Sequence, residues 1–287
     1  MFRKKIEKGK RQGTRMRNKY GKNVFITGAS SGIGKACAKR FAKAGCKVTG
    51  VSRSCEEIVK KHSCGGSLTM KRMDVTDEAS IKRVIDECDE INIAVLAAGS
   101  GVAGPVEELP MTYAREQMEV NYFGVLNMLQ AIIPKMREQG KGLIVIIGSV
   151  AGRISIPMQS HYSSSKYALE ALSDALRMEL RSFGIKVVVV EPGDTKTGFT
   201  DKRKTFVKED SVYEAAVRDA VGQMEKDERG GVSPNKVASV VTRLAGSKNP
   251  PSRRAVGIKY KLLCTAVKLL PDRLRESIVS SIYMKKN

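Results

Sequence analysis

The sequence predicts an α/β fold, a single domain built on a doubly wound parallel sheet of about seven strands flanked by helices. From Asn23 onward, apolar runs rich in β-branched residues alternate with segments of helical periodicity, which is typical of parallel strands joined by crossover helices. The chain has 287 residues, 41% of them hydrophobic, which is enough to bury one large core and does not require a second.

The elements follow one another along the chain. Short apolar runs such as Val24 to Ile26 predict strands, and runs with apolar residues three and four apart predict helices. Ligands of such sheets bind beyond the carboxyl ends of the strands, so we expect the chemistry there. The predicted strands cover residues 23–27, 47–52, 68–73, 91–97, 142–149, 185–191 and 254–258, and the predicted helices cover 32–44, 77–88, 112–137, 161–183 and 234–246.

The charge is concentrated at the two ends. Of the net charge of +21, residues 1–22 carry +9 and residues 248–287 carry +8, which leaves +4 for the 225 residues between them. We therefore predict a basic, flexible N-terminal arm (1–22), a folded body (23–249) and a basic amphipathic C-terminal extension (250–287). Within the body, the polar segment 198–232 is predicted to be an insertion over the cleft. The nearly neutral body argues against specific nucleic-acid binding.

Cysteine usage and the absence of long apolar stretches suggest a cytoplasmic protein. The six cysteines include no CxxC pair and only His62 and His161 accompany them, so reduced thiols are expected and no metal site is predicted. The longest apolar stretches fall far short of the roughly 20 residues that cross a bilayer. The N-terminus lacks the apolar core of a secretory signal.

A glycine-rich turn follows the first strand and opens the first helix. Glycines let a backbone approach a pyrophosphate, whose charge is stabilised by the amide groups of the helix N-terminus. The turn predicts a Rossmann-type dinucleotide-binding domain, although its spacing is GxxxGxG and a purely structural turn is the alternative. Its predicted cofactor ligands are Gly28, Ser30, Ser31, Gly32, Ile33 and Gly34.

The end of the second strand favours NADP over NAD. An acidic residue there would accept from the ribose 2′-hydroxyl and repel a 2′-phosphate, but the sequence has Ser52 and Arg53. A guanidinium beside hydroxyl groups suits a phosphate monoester. The alternative for Arg53 is a solvated surface side chain.

Tyr162 and Lys166 lie four residues apart at the start of a predicted helix and would share one helix face. A free tyrosine has a pKa of about 10, and lowering it by roughly three units requires about 4 kcal/mol. A neighbouring ammonium and a nicotinamide cation could supply this in a partly dry cleft. Ser149, at the end of the fifth strand, can donate a hydrogen bond to a substrate oxygen.

The ordered set of motifs resembles the short-chain dehydrogenase/reductase family over about residues 23–195. The set comprises the glycine turn, Leu96-Ala97-Ala98-Gly99, Asn121, Ser149, the YxxxK pair and Pro192-Gly193. The resemblance implies that Tyr162 transfers a proton, Lys166 adjusts its pKa and binds ribose, Ser149 orients the carbonyl and Asn121 holds a relay water. It also implies hydride transfer at nicotinamide C4. Further cofactor contacts implied are Asp74, Val75, Ala97, Ala98, Gly99, Pro192, Gly193, Thr195 and Thr197, with Ala97 where the family usually has Asn.

The substrate predicted by the same resemblance is a bulky hydrophobic alcohol or ketone, as in the hydroxysteroid and retinol dehydrogenase branch. The predicted lining is mostly apolar and contains no arginine cluster for a phosphate or carboxylate. It comprises Val150, Ala151, Met158, Gln159 and Phe199. Bile-acid, retinoid and other lipid-like substrates all fit this description.

The C-terminal extension has apolar residues at helical spacing with basic residues on the other face, interrupted at Pro271. It predicts either a pair of helices over the cleft or at a subunit contact, or a helix on an anionic membrane surface. The family resemblance favours a homodimer or homotetramer through helices 112–137 and 161–183.

Two other functions remain open from the sequence. A 3-oxoacyl-[acyl carrier protein] reductase would share the catalytic residues and use NADPH, but the long C-terminus resembles the steroid and retinol branch more. A non-catalytic dinucleotide-sensing protein would keep the fold, but the intact Ser149, Tyr162 and Lys166 argue against it.

Overall fold

The computed structural model describes residues 18–284, and residues 1–17 of the predicted basic arm lie outside them. The strands are β1 (Asn23–Thr27), β2 (Lys47–Ser52), β3 (Ile58–Lys61), β4 (Ser67–Arg72), β5 (Ile93–Leu96), β6 (Val102–Ala103), β7 (Gly142–Ile147), β8 (Ile185–Pro192), β9 (Lys204–Thr205) and β10 (Arg253–Val256). The α-helices are α1 (Gly32–Lys43), α2 (Glu78–Asp86), α3 (Met111–Met118), α4 (Gly124–Glu138), α5 (Ser160–Glu179), α6 (Phe199–Lys202), α7 (Glu214–Arg229), α8 (Pro234–Ala245), α9 (Ile258–Ala266) and α10 (Asp272–Tyr283).

Within residues 18–284, eight strands form one sheet in the order β10-β8-β7-β5-β1-β2-β4-β3. All neighbours are parallel except β3, which pairs antiparallel with β4. From β1 the chain moves outward through β2 and β4, then returns to β5 on the other side of β1 and continues to β10. The predicted doubly wound sheet is therefore confirmed. Its strand order reverses between β1 and β5, where a crevice forms at the carboxyl ends.

The prediction of about seven strands was one short. The missed strand, β3, has four residues, and three of them are exposed at the sheet edge. An edge strand that ends in two lysines lacks the apolar run used to predict strands, and such charged edges discourage pairing with other chains.

Side chains from the sheet enter two hydrophobic layers, one on each face. In β1, Val24 and Ile26 enter the layer beneath α1 and α8, whereas Phe25 enters the layer beneath α2, α4 and α5. This alternation follows from the two-residue period of a strand. The two layers hold the strand ends, and the side chains they carry, in fixed positions.

The predicted helix over 112–137 is interrupted. A π-helical turn, Glu119–Phe123, separates α3 from α4. A π-turn adds one residue to a turn and is frequent at functional sites. Its middle residue is Asn121, whose side chain is buried.

The segment 198–232 contains α6, β9 and the 16-residue helix α7, although the sequence reading found only weak periodicity there. Met158 forms one apolar cluster with Val217, Val221 and Met224 of α7. Tyr283 and Met284, at the end of α10, pack against this cluster. In a second cluster, Val150 and Ile154 pack against Cys264 and Val267 of the C-terminal extension. Helices α9 and α10 thus pack over the predicted substrate residues Val150 and Met158.

Candidate active site

The glycine turn between β1 and α1 requires its glycines for close packing. Gly28 has a φ of 66°, and a Cβ there would lie 2.8 Å from the backbone oxygen of Ala97. A Cβ on Gly34 would lie 2.3 Å from the oxygen of Gly28. Helix α1 then begins with Ser31 in extended conformation, and among the described side chains none caps its first-turn N–H groups. These amides can therefore bind an anion.

Thr27, at the end of β1, joins the turn to β5. Its hydroxyl accepts hydrogen bonds from the N–H groups of Ala97, at 2.9 Å, and Ala98, at 3.1 Å. The family usually has Asn at the position of Ala97, and in this chain the Thr27 hydroxyl makes a contact between the two strand ends. Sequence reasoning missed Thr27 because a single threonine at a strand end carries no motif.

The end of β2 presents Ser52 and Arg53 as predicted. Arg53 is exposed, and the buried Ser52 hydroxyl oxygen has no hydrogen-bond partner among residues 18–284. After β4, the carboxylate of Asp74 accepts from the N–H and the hydroxyl of Thr76, and Val75 is buried against Gly124. Asp74 and Val75 are thus fixed at the same edge of the sheet as Ser52.

Asn121 is held by two segments at once. Its amide oxygen accepts from the N–H of Ser100 at 2.9 Å, and its amide nitrogen donates to the Ser100 oxygen and the Ser165 hydroxyl, both at 3.1 Å. Ser165 in turn donates to the backbone oxygen of Tyr162 at 2.7 Å. The π-turn therefore brings Asn121 to the helix that carries Tyr162. Gln117, which sequence reasoning missed, braces the same loop by donating to the Ser100 oxygen at 2.8 Å.

Lys166 is buried and its ammonium donates to the backbone oxygen of Ile147 at 3.0 Å. Burial lowers the pKa of Lys166 to about 8, against the opposing attraction of Glu170. The same ammonium lies 5.7 Å from the centre of the Tyr162 ring. The predicted sharing of one helix face by Tyr162 and Lys166 is thus seen in the geometry.

The pKa of Tyr162 lies above its ordinary value of 10, and not below it. Burial raises the pKa of Tyr162 to about 12, with Glu228 acting in the same direction. A hydrogen bond with Ser149 and the charge of Arg203 act against this rise. Ser149 is itself fixed, because its hydroxyl oxygen accepts from the N–H of Ala151 at 3.0 Å. A protonated tyrosine beside a hydroxyl donor can give a proton to a substrate oxygen.

The predicted substrate residues divide into two groups. Val150 and Ala151 form a 3-10 turn after β7, and Val150 packs under the C-terminal extension. Met158 is buried against α7 and α10, with a φ of 59° that is unusual for a non-glycine residue. The Phe199 ring lies 5.6 Å from the Tyr162 ring. Met158 and Phe199 thus lie on the α6–α7 side of Tyr162, whereas Val150 lies on the α9 side.

The loop after β8 is held by the C-terminal extension. The Tyr260 hydroxyl donates to the Asp194 carboxylate and accepts from the Asp194 N–H at 3.1 Å. A Cβ on Gly193 would lie 2.2 Å from the Tyr260 ring. Thr195 donates to the Gly193 oxygen at 2.9 Å, and Thr197 lies 3.5 Å from the position of a Cβ on Gly32. Thr197 therefore lies against the glycine turn, and the contacts with Tyr260 hold the start of the same loop.

Two charged residues near Tyr162 were missed. Arg203, whose side chain is 1% exposed, pairs with Glu228 of α7, and its guanidinium lies 5.9 Å from the Phe199 ring. The sequence reading found no arginine cluster in the lining, and the structure adds this one buried arginine. An arginine in a polar segment gives no sign that it will be buried, because its burial depends on the position of α7.

The described residues contain no helix long and apolar enough to cross a membrane. Among them no group of three or more His, Cys, Asp or Glu could hold a metal ion. The described cysteines are free thiols.

Comparison with known proteins gives consistent matches. The family model described as short chain dehydrogenase matches residues 22–208. The chain is 35% identical to a 3-ketodihydrosphingosine reductase of Bacteroides thetaiotaomicron, over 91% of this chain and 97% of the relative. It is 31% identical to an NADPH-dependent 3-dehydrocapnine reductase of Ornithobacterium rhinotracheale, over 89% and 95%.

Solved structures show the same fold. A short-chain dehydrogenase from Streptomyces avermitilis superposes with a TM-score of 0.74 at 30% identity, covering 90% of this chain and 95% of that one. A short-chain dehydrogenase from Burkholderia cenocepacia in complex with NADP gives a TM-score of 0.71 at 21% identity, covering 93% and 98%.

Proposed function

The chain belongs to the short-chain dehydrogenase family, and from that premise we propose that it is an NADP(H)-dependent reductase that converts a ketone on a bulky hydrophobic substrate into an alcohol. The observation that carries the proposal is the joint position of Ser149, Tyr162, Lys166 and Asn121 at the carboxyl edge of the sheet. Relatives named as reductases of 3-ketodihydrosphingosine and 3-dehydrocapnine support the same reaction class.

The residues of the chain fit NADP. The uncapped first turn of α1 suits the pyrophosphate. The unpartnered Ser52 hydroxyl and the exposed Arg53 suit the 2′-phosphate. The loop from Pro192 to Thr197 suits the nicotinamide carboxamide. A relative described as NADPH-dependent and a fold neighbour solved with NADP agree with this choice.

Each catalytic group has a role that follows from its contacts. NADPH, when bound, supplies the hydride for the carbonyl carbon. Ser149 donates a hydrogen bond to the carbonyl oxygen, and Tyr162 gives that oxygen its proton. Lys166 stabilises the resulting phenolate with its charge. Asn121 positions the Tyr162 helix through Ser165 and holds a proton-relay water.

The apolar groups next to Tyr162 support a lipid-like substrate. Met158, Val221 and Met224 form a buried cluster on one side of the tyrosine, and Phe199 lies against its ring. A steroid, a retinoid and a long-chain ketone share this hydrophobic character. The 35% identity to a 3-ketodihydrosphingosine reductase favours the long-chain ketone.

We also propose a homodimer or homotetramer built through α4 and α5. The outer faces around these helices expose Phe123, Tyr167, Met178 and Phe183. We propose a cytoplasmic location, peripheral membrane contact through the basic C-terminal extension, and no specific nucleic-acid partner.

The test measures NADPH oxidation with a panel of long-chain ketones, steroids, retinoids and an acetoacetyl thioester. We expect turnover with NADPH and a lipid-like ketone. Tyr162→Phe removes the proton donor and should lower kcat at least about 100-fold while NADPH still binds. Tyr213→Phe, which removes a tyrosine hydroxyl bonded to Glu107 and not to the catalytic group, is the matched control and should keep the wild-type rate.

Each result has a distinct meaning. Full turnover by Tyr162→Phe contradicts the mechanism, and a preference for NADH contradicts the role given to Arg53. Turnover of the thioester alone favours a 3-oxoacyl-[acyl carrier protein] reductase. Tight NADPH binding with no turnover of the whole panel favours a dinucleotide-sensing protein.

A further inference from the structure

Hydrogen-bond donors without acceptors are concentrated near Tyr162. In the described part of the chain, Nε and Nη1 of Arg203 and Nε2 of Gln159 are buried and have no hydrogen-bond partner. Both side chains belong to nearly inaccessible residues, with 9% of Arg203 and 4% of Gln159 exposed. A buried donor without an acceptor has lost its hydrogen bonds to water without replacement, and the loss is larger if the donor is charged. Native proteins rarely keep such groups without a function.

Arg203 and Tyr162 both lie near the Phe199 ring. The guanidinium carbon of Arg203 is 5.9 Å from the centre of the Phe199 ring, and that ring is 5.6 Å from the Tyr162 ring. The charges of Arg203 and Glu228 both act on the pKa of Tyr162. Gln159 is near the same tyrosine in the chain, because it immediately precedes α5.

Glu228 balances the charge of Arg203, but two of the guanidinium nitrogens still lack an acceptor. Nη2 pairs with one oxygen of the Glu228 carboxylate, and the Thr200 hydroxyl donates to the other oxygen at 2.7 Å. Each carboxylate oxygen of Glu228 therefore has a partner, which makes burial of the ion pair tolerable. Two guanidinium nitrogens remain for another acceptor.

We propose that Arg203 and Gln159 form a subsite that binds an oxygen-bearing polar head group of the substrate, next to its ketone. The inference rests on the proposed function and narrows its substrate class to amphipathic ketones. In this proposal the Phe199 ring beside Tyr162 contacts the hydrocarbon part, while the donors bind the head group.

The chemistry of the unpaired atoms selects the head group. The unpartnered buried atoms of Arg203 and Gln159 are nitrogen donors, so a ligand bound by these two residues must present acceptors. Hydroxyl, sulfonate and carboxylate oxygens meet this requirement. A head group that presents only an ammonium finds a Glu228 whose oxygens are already engaged.

The test compares three ketones of equal chain length: an unsubstituted ketone, a β-hydroxyketone and a β-ketosulfonate. We expect kcat/KM to be at least about tenfold higher for both ketones with a head group, mainly through KM, because hydrogen bonds to a charged donor contribute strongly. Comparing kcat/KM for the β-ketosulfonate with that for the β-hydroxyketone distinguishes a subsite for an anionic head group from one for a neutral head group.

Two variants test the residues. Gln159→Leu keeps the approximate volume and removes a donor. The double variant Arg203→Met with Glu228→Gln removes the other donors without leaving a buried unpaired carboxylate. Each should lower the preference for head-group ketones over the unsubstituted ketone by about tenfold. Arg229→Met, which removes an exposed arginine paired with Asp201, is the matched control and should leave the preference unchanged.

The proposal is overturned if the wild-type protein has the same kcat/KM for all three ketones. It is also overturned if both variants lose kcat/KM equally on all three ketones. Reduction of the β-ketosulfonate gives a β-hydroxysulfonate, which serves as a binding probe. Its binding, measured by calorimetry with and without NADP, tests the subsite independently of turnover. If this probe binds through Arg203 but no ketone is reduced, the proposed function fails and the subsite stands. If the ketones are reduced but neither head group improves kcat/KM, the subsite fails alone.

Discussion

Glu191 lies at the carboxyl end of β8, immediately before the loop whose Thr197 lies against the glycine turn, and is 2% exposed. Its carboxylate pairs with Arg153 at 3.3 Å, while Glu170 pairs with Arg253 at 2.7 Å. Burial, followed by repulsion from Glu170, raises the pKa of Glu191 to about 7. Since Glu170 lies one helical turn after Lys166, this pair of carboxyl groups lies between the proposed catalytic lysine and the proposed cofactor loop.

The raised pKa of Glu191 gives stability a pH dependence. The folded protein keeps a proton on Glu191 that the unfolded chain releases above the ordinary glutamate pKa of 4.5. The contribution of Glu191 to stability is therefore present at low pH and is lost as pH rises towards about 7. Glu191→Gln keeps the neutral form at every pH. Relative to wild type, we expect it to unfold at a similar temperature near pH 5 and at a higher temperature near pH 8.

Thermal unfolding followed by circular dichroism across this pH range checks the prediction. Glu138→Gln changes an exposed carboxylate at the end of α4 and is the matched control. A constant difference in unfolding temperature between Glu191→Gln and wild type at all pH values would show that Glu191 does not titrate in this range.

At the scale of elements, the sequence was sufficient where one local pattern determines the structure. The strand runs and the glycine turn predicted β1, β2 and α1 within a residue or two of their observed bounds. The YxxxK spacing likewise placed Tyr162 and Lys166 on one helix face. These features depend on residues that are neighbours in the chain.

Features that depend on distant contacts were not predictable in the same way. The π-turn at Asn121 inserts one residue without disturbing the apolar spacing on either side. The burial of Arg203 depends on Glu228, 25 residues further along. The Tyr260 contact depends on Asp194, 66 residues away. None of these partners is specified by a local motif.

Helix α9 positions the cofactor loop through one side chain. Tyr260→Phe keeps the ring that packs on Gly193 but removes both hydrogen bonds with Asp194. Because hydrogen bonds to a charged group contribute about 1.5–3 kcal/mol, part of which solvent recovers, we expect the Kd for NADPH to rise by about 3- to 10-fold. Fluorescence titration of NADPH measures this change.

Tyr213→Phe is the control for that experiment. The Tyr213 hydroxyl also donates to a carboxylate, Glu107, at 2.7 Å, but it lies away from the cofactor loop. It should leave NADPH affinity unchanged. An unchanged Kd in Tyr260→Phe as well would show that the loop holds its position without α9.

At the scale of the whole molecule, the sheet brings residues from β1, β2, β5, β7 and β8 to one edge, although they are spread from residue 27 to residue 192. Apolar clusters beneath α7, α9 and α10 cover the proposed substrate residues Met158 and Val150. The charge lies elsewhere, with +17 of the net +21 in residues 1–22 and 248–287. The proposed catalytic residues and most of the net positive charge therefore lie in different parts of the chain.

The C-terminal extension places exposed apolar and basic side chains together. Helix α9 and the turn after it expose Ile258, Leu262 and Leu269, which are 77%, 67% and 81% exposed, along one side at helical spacing. The neighbouring cations Lys259, Lys261 and Lys268 form no salt bridge within residues 18–284. This combination is typical of helices that lie on anionic membranes. A second copy of the same basic surface would be repelled.

Co-sedimentation with vesicles tests the contact. We expect the full chain to bind vesicles containing phosphatidylglycerol more strongly than vesicles of phosphatidylcholine alone, and added salt to weaken the binding because it screens the lysines. Leu262→Ser with Leu269→Ser should reduce binding at least about tenfold, since each leucine loses about 1 kcal/mol or more of apolar burial in the bilayer interface. Val59→Ser with Val212→Ser removes two exposed apolar side chains elsewhere in the chain and should bind as wild type does. Equal binding to both vesicle types, or binding unaffected by the leucine substitutions, would mean that α9 faces another partner. Binding lost together with those leucines would place α9, which packs against Val150 and Ile154, on the bilayer surface.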